Sequence, residues 1–183
     1  MNTLPRTVTN PDIGDKVTFL KTAAETNGEY ALVEVELAPG GGNGLHYHVT
    51  FIEVFDVIQG VLGIQYGKEI MSLKAGESAT VPLNVVHRFF NPSPDKPVKF
   101  RTTIKPARHF EEMIRIAYGL ANDGLTNKKG MPKSIWDLSI LFEKGESYLP
   151  TLPLRIQKGL FGLLAYIARL KGRDKALLKY YSV

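Results

Sequence analysis

Hydrophobic and polar residues alternate with a period of two over several short stretches in the first half of the chain. Lys16-Val17-Thr18-Phe19-Leu20 is the first, and Tyr30 to Ala38, with Val33, Val35 and Leu37 set against Glu34 and Glu36, is the second. Phe51 to Gln59, Val61 to Tyr66, Glu69 to Leu73 and Ser78 to Val81 follow, divided by Gly60, Gly67-Lys68 and Ala75-Gly76. Val98 to Ile104 comes after the proline-rich turn Asn91 to Pro97. Successive side chains of a strand point to opposite faces, so short, evenly spaced runs of this kind predict an antiparallel barrel or jelly roll. Asn27-Gly28 is a hairpin signal between the first two strands. In the last run Phe100, Thr102 and Ile104 share one face and Arg101 and Thr103 the other; which is inward stays open, because one bulge reverses it. Residues 1–14, interrupted by Pro5, Pro11 and Gly14, read as an arm without regular structure.

Beyond Pro106 the period changes to about 3.6, the repeat of an amphipathic helix. Phe110, Met113, Ala117 and Leu120 form one stripe, and Ile135, Leu138, Leu141 and Phe142 another behind Ser134, an N-cap candidate. From Pro153 to about Leu170, Ile156, Leu160, Leu163, Leu164, Ile167 and Leu170 oppose Arg155, Lys158, Gly162, Ala165 and Arg169. The pattern therefore divides the chain into the arm 1–14, a barrel at 15–105 and a helical extension of about three helices at 106–183. Trp136 is expected to cover the barrel or a dimer contact, and His109, opening the first helix, reads as a surface or capping residue. The last helix has two readings. Its apolar stripe packs on neighbouring helices or a symmetry mate, which is the preferred one, or residues 153–171 make a weak contact with an anionic membrane surface.

Composition adds limits. With 183 residues, 44% hydrophobic and 22% charged, the chain suits one well-buried domain with an appendage. It has no cysteine, so disulfides and thiolate metal sites are excluded. The N-terminus lacks a basic segment followed by an apolar one, and no run reaches the roughly 18 apolar residues of a spanning helix, so a cytoplasmic protein is expected. The net charge of +5 is uneven: residues 151–183 hold seven Lys or Arg against the single Asp174. The basic balance belongs to the tail, and no zinc-finger, RNP, GXXG or basic-zipper pattern accompanies it, so no nucleic-acid partner is expected.

Three of the four histidines lie between Gly40 and Asn91. His46 and His48 are separated by one residue, so in an extended segment they point the same way, with Tyr47 opposite. Thr50-Phe51 offers a tight turn or bulge, after which Glu53 can return beside them, and His87 arrives from further along. Three imidazoles and one carboxylate suit a first-row divalent ion such as iron, manganese, cobalt, nickel, copper or zinc, and fill roughly four of about six positions around an octahedral one. Glu53, once facing the ion, brings Phe55 and Val57 to its own face, and His87 brings Phe89; these either line a substrate pocket or form ordinary core. Tyr47 and Arg88 fall on the outward parity. The glycine-rich Pro39 to Gly44 reads as a turn that lets the backbone pass close to the mouth of the barrel. An anion cradle is the alternative, without a following helix or a lysine in the spacing such loops use.

These residues resemble the cupin superfamily, whose first motif runs Gly, His-X-His, Glu, Gly and whose second runs Gly, Pro, Gly, His, Asn. Gly40, His46, His48, Glu53 and Gly60 match the first throughout; Gly76, Pro82, His87 and Asn91 match the second, with Asn84 where the family usually has glycine. Asn adopts positive φ more readily than other residues with a Cβ, so the turn is expected to survive. The resemblance spans about the first 105 residues. It implies a single barrel of jelly-roll type, commonly dimeric, holding one divalent ion on His46, His48, Glu53 and His87. It also allows a small-molecule enzyme, foremost a dioxygenase if the ion is iron, copper or nickel, in which Glu53 is a ligand and, on leaving the ion, a candidate general base. A non-redox isomerase or lyase, for which Arg101 is the one modest basic candidate, and a metal-dependent sensing domain are the alternatives.

Overall fold

Residues 4–127 and 129–182 are described by a computed structural model of the chain; residues 1–3 of the expected arm lie outside them. The alternating half forms β1 (Thr7–Asn10), β2 (Asp15–Lys21), β3 (Ala31–Leu37), β4 (Tyr47–His48), β5 (Ile52–Gln59), β6 (Val61–Tyr66), β7 (Glu69–Lys74), β8 (Ser78–Val81), β9 (His87–Phe90) and β10 (Val98–Lys105). The rest forms α1 (Phe110–Asn122), α2 (Ile135–Gly145), the short β11 (Ser147–Tyr148), α3 (Leu154–Leu170) and α4 (Arg173–Tyr181). Among the described residues the extension thus has four helices where about three were expected.

One sheet runs β1-β2-β3-β10-β5-β8 and a second β7-β6-β9, all antiparallel. β10 lies between β3 and β5, with Thr102 opposite both Val33 and Phe55. A bulge at Lys99/Phe100 adjusts its register with β5, and Val98, Phe100, Thr102 and Ile104 are all buried, which settles the inward parity. Val33, Val35, Phe55, Val57 and Phe100 of the first sheet meet Leu62 and Ile64 of the second in one apolar cluster. The Phe89 ring from β9 joins the sheets, 6.0 Å from Phe55 and 5.3 Å from Phe100. Each such fully buried side chain contributes about 1.5–3 kcal/mol, before the entropy of fixing it is set against that gain.

The arm is more regular than its prolines suggested. Thr7–Asn10 is an edge strand on β2, with Val8 opposite Val17; Pro5 and Pro11 flank this β-branched run instead of interrupting it, as proline does at sheet edges. α1 lies over that edge. Arg115 of α1, buried, donates to the Pro5 carbonyl at 2.8 Å, pairs with Glu111 and covers the Phe19 ring at 4.5 Å. Asn122 donates to the Thr9 carbonyl.

A second core lies among the helices: Ile116 and Leu120 of α1, Ile140 of α2, Ala165 and Ala168 of α3 and Leu177 of α4. Ser134 caps α2, accepting from the Asp137 N–H at 3.4 Å. Trp136 packs in this second core under the Lys171 ammonium, 5.4 Å away, not over the sheets. α3 departs most from its pattern. It packs through Gln157, Ala165 and Ala168, and Phe161 stacks on Phe142 at 4.4 Å, so its small residues face the protein. Small side chains let α2 and α3 approach closely. The larger stripe, expected to pack, lies mostly outside.

Candidate metal centre

Each of the four candidate ligands is delivered by a different local device. His46 exchanges both backbone hydrogen bonds with His87, at 3.0 and 2.8 Å, which sets the two side by side. His48 ends β4, and its pairing partner is Ser147 of β11, from the far end of the chain. Glu53 is the second residue of β5 and points inward with Phe55 and Val57. Before His87 the chain turns at Asn84, which has φ 66° and donates its N–H to the His48 carbonyl at 2.7 Å. Asparagine therefore makes the turn usually left to glycine. Beyond, Asn91 donates to the carbonyls of Leu37, Ala38 and Lys96 and accepts from the Ser93 N–H, closing the turn into β10.

The donor atoms of His46, His48, Glu53 and His87 all lie within 4.8 Å of one another. Nε2 of His46 and of His48 are 3.1 Å apart, Nε2 of His87 is 2.8 Å from Glu53 Oε2, and Nε2 of His48 is 3.6 Å from the same oxygen. Donors that share one ion at bond lengths of about 2.1 Å are separated on this scale. All three Nδ1 atoms are spent on backbone carbonyls: His46 on Gly44, His48 on Glu146 and His87 on Val85. An N–H fixed on Nδ1 leaves Nε2 as the lone-pair nitrogen and fixes the ring orientation, the usual support for a metal-bound imidazole. The Nε2 lone pairs of His46 and His48 facing each other at 3.1 Å repel unless a cation or a proton lies between them. The residues fit a divalent ion.

The electrostatics agree with that fit. Burial, helped by His48 and His87, pushes His46 down to about 4, so this ring is neutral and open to ligation near pH 7. For Glu53 burial acts upward, but the hydrogen bonds and charges of His48 and His87 outweigh it and hold the carboxyl well below the usual carboxylate range. Burial also acts on His87, downward, and the hydrogen bond and charge of Glu53 overcome it and leave His87 raised. With its Nδ1 on Val85, His87 presents Nε2 to Glu53, the place an ion held by both would take.

The cluster opens on a cavity of about 340 Å³. Val33, Val35, Phe51, Phe89 and Thr102 wall it from the sheets; Phe110, Met113, Ile114, Leu141 and Phe142 wall it from α1 and α2. Phe89 is part of the cavity wall. Phe55 and Val57 share Glu53's face and lie in the core between the sheets, the second of the two places expected for them. Arg101 is on the outside, 3.5 Å from Glu34. Tyr47 is half-buried against the Tyr148 ring, and Arg88 bonds Gln65 and covers Phe90. His109 precedes α1 without capping it and bonds Glu112. Gly42 passes so close to β9 that a Cβ there would sit 2.6 Å from the Phe89 carbonyl, a close backbone approach at the cavity wall.

Two facing antiparallel sheets with a His-X-His, Glu, His group at their mouth define a cupin-type protein with a potential metal site. Residues 33–104 match the family described as the cupin domain, which assigns this stretch of the chain to the cupin superfamily. Among solved structures, it is similar to a predicted oxalate decarboxylase from Thermotoga maritima, 19% identical over 56% of this chain and 92% of that one, with a TM-score of 0.50. KdgF from Halomonas sp. is 17% identical over 57% of this chain and 91% of its own, with a TM-score of 0.49. An RmlC-like cupin from Shewanella frigidimarina is 26% identical over 55% and 84%, with a TM-score of 0.48. No curated protein matches the chain.

Proposed function

We propose that the protein is a metal-dependent oxidoreductase of dioxygenase type, acting on a small, largely apolar molecule with an ionisable hydroxyl. The observation that carries this reading is the convergence of three Nε2 atoms and a buried carboxylate at the end of an apolar cavity. His46, His48 and His87 would hold the ion through Nε2 and Glu53 through its carboxylate. A redox-active ion bound there, iron, copper or nickel, would lower the pKa of a coordinated hydroxyl and open the resulting anion to dioxygen. Glu53 would also serve as the general base, because it is the one carboxylate grouped with the three imidazoles. Phe51, Phe89, Phe110 and Met113 keep bulk water from the reacting atoms and offer the substrate apolar contact.

The names of the related structures do not choose the reaction, because one fold hosts many chemistries. The cavity itself speaks against a sugar phosphate: among the described residues Lys129 is the one cation in its wall. The test is oxygen uptake by the metal-loaded protein across a panel of enols and phenols, beside Glu53→Gln. Uptake that depends on one compound class and falls at least about a hundredfold in the variant is expected. Isomerisation or elimination with zinc or manganese and no oxygen consumed would replace the proposal with a Lewis-acid enzyme. Tight binding without turnover of any compound would leave a sensing domain.

A further inference from the structure

α3 shows the surroundings the apolar residues that its pattern would bury. Ile156, Leu160, Leu163 and Leu170 are 56%, 48%, 59% and 70% exposed, and Tyr166 beside them is 58% exposed. At intervals of three, four and seven residues the four aliphatic side chains fall on one line along the helix, roughly 20 Å long. The inward face is already satisfied by Ala165, Ala168 and Gln157, whose amide accepts from the Leu149 N–H and donates to the Leu149 and Leu152 carbonyls. The stripe is a convex ridge, not a groove shaped for a peptide.

Charge identifies what covers it. No Asp or Glu occurs between Ser147 and Arg173, while Arg155, Lys158, Arg169, Lys171 and Arg173 do. Arg169, Arg173 and Lys179 are held by Glu143, Asp137 and Asp123. Arg155, Lys158, Lys171 and Lys175 have no carboxylate partner among the described residues; Lys158 and Lys171 lie over the rings of Tyr148 and Trp136. We propose that α3 lies in the plane of an anionic lipid surface, its aliphatic line in the acyl boundary and these cations at the headgroups. A second copy of the chain is the poorer occupant. Two-fold pairing of this face would set two segments of seven cations and one acid against each other. This proposal is independent of the reaction at the metal centre.

The test is flotation of the full-length, metal-loaded protein with vesicles of phosphatidylcholine alone and with roughly one third phosphatidylserine. Binding to the anionic vesicles only, released as salt is raised, is expected. The double variant Leu160→Ser/Leu163→Ser should bind at least about tenfold more weakly, with metal content and thermal midpoint unchanged because both side chains are exposed. Arg155→Glu/Lys158→Glu should weaken binding while leaving the aliphatic line intact. Equal binding to both vesicle types, no binding to either, or variants that bind like the parent would overturn the proposal. A dimer that the serine variant dissolves, in a protein that ignores vesicles, would assign the ridge to a second copy.

Discussion

Asp15 is a buried carboxylate with half its hydrogen-bonding capacity used. Its Oδ2 accepts from the Tyr118 hydroxyl at 2.5 Å, while Oδ1 is buried without a partner among the described residues. Burial pushes its pKa up to about 6 against the Tyr118 hydrogen bond, and burial raises Tyr118 well above the usual phenol value as well. The folded chain therefore holds a proton that the unfolded chain has released between about pH 4 and pH 6. Stability falls as pH rises through that window, by on the order of 2–3 kcal/mol from this group alone. Asp15→Asn keeps an acceptor for Tyr118 and removes the charge. It should stabilise the protein by about 2 kcal/mol at roughly pH 7.5 and by much less near pH 4, read from denaturant unfolding at the two values. Equal effects at both would show that the site, not its ionisation, sets the difference.

Among the secondary elements, the two-residue strand β11 has the largest consequence for the site. It pairs Ser147 with His48 and Tyr148 with Tyr47, and Glu146 just before it gives its backbone carbonyl to His48 Nδ1 at 3.2 Å. Glu146 has φ 44° and ends α2; its side chain accepts from Thr50 at 2.9 Å and from Arg108 at 2.8 and 3.0 Å. These bonds hold the turn between β4 and β5 against the helical extension, so the extension orients one of the four proposed ligands. Glu146→Ala should lower stability by about 1–2 kcal/mol and weaken divalent-ion affinity about tenfold, measured by thermal unfolding and by competition titration with a chromophoric chelator. Lower stability with unchanged affinity would confine Glu146 to folding. None of this is legible in the sequence. A strand of two residues has no period, and its partner is about a hundred positions away, where only tertiary packing links the two. The spacing of His46, His48 and Glu53 was legible because strand alternation ties position to face, and Asn84 because its φ preference is local. The burial of α3 was misread for the converse reason. A hydrophobic stripe predicts which face avoids water, but here Ala165 and Ala168 on the opposing face fit α2 more closely.

At the scale of the whole molecule the sheets and the helices are not a domain and its appendage. The family match ends at residue 104, yet Phe110, Met113, Ile114, Leu141 and Phe142 from beyond it enclose the cavity. The sheets place the ligand cluster, and the helices supply much of the wall that would choose the ligand. This division explains why a metal-binding donor set could be read from four residues while substrate identity could not: the wall is assembled from stripes whose partners the sequence does not name. The alternating pattern left wall and core open for Phe55, Val57 and Phe89 alike; Phe89 lies in the cavity wall, and Phe55 and Val57 lie in the core. The central claim is that His46, His48, Glu53 and His87 hold an ion. Elemental analysis of protein purified without added metal, beside His87→Ala, tests it most directly. The expected result is about one equivalent of a first-row transition metal per chain, lost in the variant while its circular dichroism spectrum is unchanged. Protein that carries no metal, and takes up none on titration with iron, nickel, copper, manganese or zinc, would contradict it.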